Sequence, residues 1–371
     1  APRAPLWSRG LGDVYKRQKL GWPKKSATIF WHRWLWSLKA LENADFKVLH
    51  EFPKIEDGGI STPIKSIPSL QDKYANYLTN TSHYCKEFLA YKIFTHVSND
   101  RLLGPFPSTS THFESTKGKD VNDLGIRTQI MRTPIFVVMW ESLDKWRDVL
   151  DFGFELAQGL SINDFIIPEF VSIKFSRLQD MLATFMGCTH ASKLDWQSAF
   201  KQIRIHHSEW PLFAFDFDGK TFISTVLEFG RCDAPREFSK CSKTLVLKAL
   251  MMHPELFTKK TDVFKGTISR FPRLLEKPDS WLDSAGANLT RLINGDRVHL
   301  TDVLMDDMWF GAFSVAMNKQ QHSSIQRIAR FYNVVFKKSK EEVGVARMTV
   351  CGIHFMLDLQ CMTYDLSLIH I

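Results

Sequence analysis

Leu194-Asp195-Trp196-Gln197-Ser198-Ala199-Phe200 sets one carboxylate in an apolar run, and Leu304-Met305-Asp306-Asp307-Met308 sets two more far downstream. Between them lies Phe229-Gly230-Arg231-Cys232-Asp233-Ala234-Pro235-Arg236-Glu237-Phe238. An isolated Asp-Asp is usually a solvated turn. Here the pair is flanked by Val303, Leu304, Met305, Met308, Trp309 and Phe310. Two adjacent carboxylates in so apolar a setting are costly without a compensating cation. The three acids therefore predict a divalent-metal site.

Two-metal displacement at phosphorus needs ions about 3.5–4 Å apart. Magnesium takes oxygen ligands in octahedral geometry, usually one or two carboxylates plus substrate phosphates. An Asp closing one strand and an Asp pair in a neighbouring hairpin supply such a set. Asp195 and Asp306 are expected as direct ligands, and Asp307 as a ligand or its support. Two Mg2+ ions are expected, with Mn2+ as the alternative.

Outward from these blocks, the chain has 371 residues, 44% hydrophobic and 24% charged. That is ordinary for a globular protein of two or three modules. No stretch approaches the roughly 20 apolar residues of a membrane span, and no membrane partner is expected. The formal charge of +8 suits a polyanionic partner, because cationic surface gains affinity by releasing counterions from phosphates. Six scattered cysteines form no C-x-x-C. They predict reduced thiols in an intracellular protein rather than a zinc ribbon or a redox motif.

The apolar spacing predicts helices over 82–97, 175–187, 234–252 and 323–332. Strands are expected over 136–139, 146–152, 192–195, 210–217 and 221–226, with Asp218-Gly219 as a hairpin turn. The Asp306-Asp307 pair falls in a strand-turn-strand over 298–308, and a final strand over 349–357. Residues 108–123 are polar and read as loop. Trp31, Trp34 and Trp36 with Arg33 and Lys39 read as a short packed helix, and 253–297 as a mixed insertion. A small antiparallel sheet backed by helices, an α+β arrangement, accounts for this order.

Both ends read differently. Asp13-Val14-Tyr15-Lys16-Arg17-Gln18 can be encoded by GAT GTG TAT AAG AGA CAG, and Leu366-Ser367-Leu368-Ile369-His370-Ile371 by CTG TCT CTT ATA CAC ATC. The two DNA strings are reverse complements and match a transposase adapter of sequencing libraries. Residues 1–18 and 366–371 are therefore expected to be translated adapter flanking a fragment.

From about Gly104 to Leu357 the chain resembles the reverse transcriptases of retroelements, in particular DIRS-like tyrosine-recombinase retrotransposons. The resemblance is carried by Gly104-Pro105-Phe106, by Lys145-Trp146-Arg147 followed by Ser161-Ile162-Asn163-Asp164, and by Asp195 with Ala199 and Phe200. It continues through Phe229-Gly230 with Ala234, Pro235 and Phe238, and through Lys340 with Cys351-Gly352-Ile353. It implies the fingers and palm of a right-hand polymerase with the thumb largely missing. The implied divisions are a connector over 19–103 and fingers over 104–190. They continue with palm over 191–205, a fingers hairpin over 206–226, palm over 227–357, and the start of a thumb over 358–365. The implied activity is RNA-directed DNA polymerisation, with an RNA or DNA template-primer and deoxynucleoside triphosphates as partners. RNase H, recombinase or integrase domains of a polyprotein are expected beyond the fragment.

The resemblance also implies roles. Asp195, Asp306 and Asp307 would hold the metals. Phe200 would be the aromatic gate beneath the sugar. Arg147 would grip the triphosphate with its planar fork. Gly230 would let the backbone approach the nucleotide. Lys340 would stand near the pyrophosphate as a general acid. By themselves, these residues also read as a core Phe, a surface Arg and one lysine of a basic turn.

The chain departs from the family at three places. Leu304 stands where the family has Tyr, Glu228 where it has Pro, and Met139-Trp140-Glu141 where the fingers strand carries lysines. A catalytically silent nucleic-acid-binding remnant of the same fold is the alternative. An unrelated metal-dependent phosphatase or nuclease would leave Phe229-Gly230 with Ala234-Pro235 unexplained.

Overall fold

The structure is a computed structural model that describes residues 55–56, 59–60, 83–107, 112–113, 128–140, 145–155, 160–166, 171, 178–259 and 297–364. The expected tryptophan-rich helix, both adapter-like ends, Glu141 and most of the 253–297 insertion lie outside them. The main elements are α1 (His83–Ser98), β1 (Leu102–Pro107), β2 (Ile135–Trp140), β3 (Lys145–Leu150), α2 (Leu178–Phe185), β4 (His190–Asp195), β5 (Ala214–Phe217) and β6 (Lys220–Ser224). They continue with α3 (Ala234–Met252), β7 (Thr301–Leu304), β8 (Asp307–Ala312), α4 (Val315–Tyr332), β9 (Glu342–Val345), β10 (Arg347–Val350), β11 (Ile353–Met356) and β12 (Cys361–Tyr364).

The described residues fall into two compact units, one of 55–171 with 198–237, the other of 178–197 with 238–364. The first holds α1, an antiparallel sheet in the order β1-β6-β5, and the hairpin β2-β3. The second holds an antiparallel sheet in the order β7-β8-β4-β9, a smaller one in the order β10-β11-β12, and α2 and α4. This is the α+β arrangement expected from the sequence. Among the described residues no helix is long and apolar enough to cross a membrane.

Asp218 and Gly219 both have positive φ, +49° and +68°, the backbone that a two-residue hairpin turn requires. The strand before them begins only at Ala214, later than expected. Residues His207–Phe213 form a 3-10 helix that contains Pro211, and proline has no N–H to give a sheet ladder. The expected final strand over 349–357 is instead a hairpin. Cys351 and Gly352 take φ of +51° and +77° and reverse the chain between β10 and β11. Strand-forming residues on both sides of the single Gly352 hid that turn.

α4 begins eight residues earlier than the periodicity predicts. The Ser314 hydroxyl caps it by accepting from Met317 N–H at 3.2 Å, a favourable start for the orphan amides of a first turn. Its first turns are buried through polar side chains, so no apolar stripe marks them. Asn318 Oδ1 accepts from Ser192 Oγ at 2.5 Å and from Gly344 N–H at 2.8 Å. Gln321 Nε2 donates to the Gly311 carbonyl at 2.8 Å. Satisfied buried amides of this kind hold a helix in one register against a sheet.

The core of the second unit gathers Met181 and Phe185 of α2, Ala191 and Trp309 of the larger sheet, and Met348, Val350, Ile353 and Phe355 of the smaller one. Gly311 of β8 has no room for a side chain, since a Cβ there would lie 2.8 Å from Cys188 Sγ and 3.2 Å from the Phe185 ring. Gly311→Ala is therefore expected to cost about 1–3 kcal/mol by overpacking. The penalty should shrink in a Cys188→Ala background, which removes the nearest atom. Urea unfolding of the four variants in that cycle checks both statements.

Candidate active site

β4 ends at Asp195, and its neighbour β8 begins at Asp307. The register sets Asp195 and Asp307 directly opposite one another. Side chains so paired have their Cβ atoms about 4.5–5.5 Å apart, and like charges in that position destabilise a sheet. Asp306 lies in the two-residue turn that joins β7 to β8, beside Met305. Its carbonyl accepts from Trp196 N–H at 3.0 Å, which ties the turn to the residue after Asp195. Met305 takes φ +54°, a backbone region uncommon outside glycine and frequent at strained functional turns. Its Sδ accepts from Ser239 Oγ at 3.3 Å.

Two lysines answer the opposed carboxylates. Lys340 Nζ pairs with Asp195 Oδ2. Lys193, two residues before Asp195 and thus on the same face of β4, pairs with Asp307 Oδ2 at 3.1 Å. Lys193 also donates to the Thr349 carbonyl of β10 at 3.2 Å. Backbone bonds bring Lys340 into place, with Lys337 N–H donating to the Asp195 carbonyl at 2.8 Å and Gln197 N–H to Val335 at 3.0 Å. Among Lys337, Lys338 and Lys340, the third is the one whose ammonium reaches Asp195. The hydrogen bond to Asp195 and the surrounding carboxylates raise the Lys340 pKa against a smaller effect of burial. Sequence reasoning did not single out Lys193. Its i, i+2 spacing from Asp195 on a strand was the available signal.

Apolar packing fixes the frame. Trp196 is buried, with edge-on rings from Phe238 at 5.2 Å and Phe336 at 6.0 Å between centroids. Met308, Trp309 and Phe310 are fully buried. Leu304, in the place of the family's Tyr, packs against the core of this unit. The carboxylate donor set is hard oxygen, which fits magnesium or manganese. Among the described residues no three His, Cys, Asp or Glu side chains converge on one point as a ready-made cage. Magnesium needs only one or two carboxylates when substrate phosphates complete its shell.

Burial raises the Asp306 pKa, and the charges of Asp195 and Asp307 add to it, against its own backbone hydrogen bond and Lys340. The folded value exceeds the unfolded one, so ionising Asp306 works against the fold. That cost is absent below the unfolded value and grows as pH rises through the folded value. In metal-free buffer, Asp306→Asn is therefore expected to melt a few degrees higher than the parent at about pH 8, with the gap closing towards about pH 3. Thermal melts across pH check it. A variant that melts lower at high pH would contradict the repulsion.

Arg147, Phe200 and Gly230 belong to the other unit, where they form a cluster of their own. The Arg147 guanidinium lies over the Phe229 ring, 5.3 Å from its centroid, and the Phe200 ring meets Phe229 at 4.7 Å. Phe200 is buried, 6% exposed. Gly230 takes φ +101°, and a Cβ there would come within 1.9 Å of the Leu150 carbonyl, so this turn admits no side chain. The Ser161-Ile162-Asn163-Asp164 stretch holds it. Asn163 Nδ2 donates to the Gly230 carbonyl at 3.0 Å, and Asn163 Oδ1 accepts from Cys232 N–H at 3.1 Å. Asp164 Oδ2 accepts from both the backbone N–H and the hydroxyl of Ser161 at 2.7 Å. Asn163 is thus a positioning residue whose role was not evident from the motif alone.

Glu228, in place of the family's Pro, is 2% exposed. Lys201 Nζ contacts Glu228 Oε2 at 2.5 Å and Asp148 Oδ2 at 3.0 Å, and Ser224 Oγ donates to Glu228 at 2.6 Å. His96 Nε2 lies 3.3 Å from Asp148, without hydrogen-bond geometry. Burial lowers the His96 pKa to about 4, helped by Lys201. Removing one partner of a buried pair costs about 3–5 kcal/mol, because the other charge is left unanswered. Glu228→Pro, which restores the family residue, is therefore expected to destabilise the fold by that order. Lys201→Met should not recover the loss, as measured by denaturant unfolding, because it strips Asp148 of its cation.

No family model matches the chain, and no curated protein matches it. Among solved structures, it is similar to a foamy viral protease-reverse transcriptase (dRH) in complex with double-stranded DNA. That match has a TM-score of 0.51 and 16% identity, covering 96% of this chain and 47% of that one. A second foamy viral protease-reverse transcriptase structure, also with double-stranded DNA, matches with a TM-score of 0.48 and 16% identity, covering 99% of this chain and 57% of that one. The chain thus spans about half the length of these proteins. The fold is similar to that of a reverse transcriptase.

Proposed function

We propose that this chain is the fingers and palm of an RNA-directed DNA polymerase from a retroelement polyprotein. It would transfer deoxynucleotides from their triphosphates to a primer 3′-hydroxyl on an RNA or DNA template. The observation that carries this is the rung Asp195–Asp307 with Asp306 in the adjoining turn and Lys340 on Asp195. The similar foamy viral protease-reverse transcriptase is in complex with double-stranded DNA, a partner of the class that this reading expects. Assignment to a DIRS-like element rests on the motif set from Gly104-Pro105-Phe106 to Cys351-Gly352-Ile353. RNase H, recombinase or integrase domains would lie outside the chain.

Asp195 and Asp306 would hold two magnesium or manganese ions, with Asp307 as third ligand or support. When bound, such ions supply a more nucleophilic hydroxyl and neutralise the triphosphate. Lys340 keeps a proton at Nζ beside Asp195, where it is available to a leaving pyrophosphate. Arg147 presents a planar fork for phosphate oxygens. Phe200 and Phe229 offer the aromatic floor that would exclude a ribose 2′-hydroxyl. Asn163 holds the Gly230 turn so that its backbone keeps one shape. The protein's part is positioning and charge neutralisation, the usual substance of phosphoryl transfer.

A silent remnant of the same fold is favoured by one observation: Asp195 and Asp307 each already carry a lysine. Against it, Glu228 is built into a buried ionic network and Leu304 into the core, so neither replacement reads as decay. Primer extension on poly(rA)–oligo(dT) with magnesium separates the two. Extension that falls by about a thousandfold or more in Asp306→Ala, as for other groups that hold transition-state charge, supports the polymerase. No extension by either protein, with template binding intact, supports the remnant.

A further inference from the structure

α4 has two faces of different chemistry. Asn318, Gln321, Ser324, Ile325, Ile328 and Ala329 are buried, and the helix packs on β4, β8 and β9. The opposite face exposes Lys319, Ser323, Arg327 and Arg330. Positions 319, 323, 327 and 330 follow the i, i+4, i+8, i+11 spacing that puts side chains in one stripe. The helix contains no Asp or Glu at all. Solvated helix faces commonly mix both charges, with acidic residues three or four places from basic ones; this one carries positive charge only. Phe331, the next residue after Arg330, is 42% exposed, an uncommon place for an aromatic ring beside two arginines.

We propose that this face of α4 binds single-stranded nucleic acid, with Lys319, Arg327 and Arg330 on successive phosphates and Phe331 stacked on a base. A basic track with an aromatic platform is the combination that holds single strands without regard to sequence. Lys319 to Arg330 spans about 16 Å of helix at a rise of 1.5 Å per residue, room for a few nucleotides. Beyond the end of α4, Lys337 and Lys338 are also exposed, and Lys337 N–H bonds the Asp195 carbonyl. The chain that leaves the helix thus runs to the strand end that carries Asp195. The site is separate from the carboxylates themselves and needs no catalysis, so it holds for an active polymerase and for a silent one.

The test is fluorescence anisotropy of the full chain with a labelled oligothymidylate of about 20 nucleotides, long enough for one binding site, in metal-free buffer over a range of KCl. The triple variant Lys319→Gln/Arg327→Gln/Arg330→Gln should bind about tenfold or more weakly at moderate salt. The slope of log affinity against log salt should fall by about 2, for three lost single-strand contacts. Phe331→Ala should lose about fivefold or more with little change in slope. Lys86→Gln, which removes an exposed lysine of α1, should keep full binding. All four positions are exposed, and unchanged thermal melts would confirm that the fold is kept. Parental affinity and slope in the triple variant would overturn the proposal. So would failure of the parent to bind the oligonucleotide, or loss of binding to anionic phosphatidylserine vesicles alone.

Discussion

Two aspartates face each other on one rung of an antiparallel sheet, and a third stands in the turn beside them. Like charges so placed push the strands apart, so the sheet needs cations as much as it needs hydrogen bonds. Lys340 and Lys193 supply two of them. The consequences spread outward. Lys340 arrives on a segment bonded to the backbone of Asp195 and Gln197, and Lys193 ties Asp307 to the smaller sheet through Thr349. The buried aromatics Trp196, Trp309 and Phe310 give the acids a stiff, poorly solvated frame. A charged cluster with a raised carboxyl pKa in such a frame is the kind of place where functional groups gather, and it is the basis on which a divalent-ion site is proposed.

The other unit solves a different problem, how to hold a glycine turn against a neighbouring strand end. Gly230 lies so close to the Leu150 carbonyl that only hydrogen fits. Asn163 clamps both sides of the turn. Arg231 within it is buried in a bidentate pair with Asp233, 2.5 and 2.9 Å, and a third bond to Glu209. Burial alone would lower the Arg231 pKa, but Asp233 and Glu209 raise it instead. Nearby, Lys201 answers both Glu228 and Asp148. Such networks tolerate no single replacement, which makes Glu228 and Lys201 one feature rather than two.

Much of this was legible in the chain. The hydrophobic spacing of Ala234–Met252 and the Asp218-Gly219 turn announced their elements, because each rests on local chemistry. That Asp195 closes a strand and that Asp306-Asp307 lies in a hairpin was legible, but the register that sets Asp195 opposite Asp307 is fixed across the sheet and not by local sequence. Other features were set by distant partners. The early start of α4 was hidden because Asn318 and Gln321 bury polar amides where a periodic pattern needs apolar ones. The β10–β11 reversal was hidden because Cys351-Gly352 is a weak turn signal beside β-branched neighbours. Lys193 was passed over because a lysine on a strand is ordinarily solvated. Glu228 looked like a lapse until Lys201 was found against it.

The central claim is that Asp195, Asp306 and Asp307 together form a divalent-cation site. Titration of Mn2+ into the metal-free protein, followed by electron paramagnetic resonance of the free ion, tests it without reference to turnover. Saturable binding should appear in the parent with a nucleoside triphosphate present and be strongly weakened in Asp195→Asn and in Asp306→Asn. Lys319→Gln, at an exposed position on the outer face of α4, should bind as the parent does. Equal Mn2+ binding in the parent and both aspartate variants would contradict the claim.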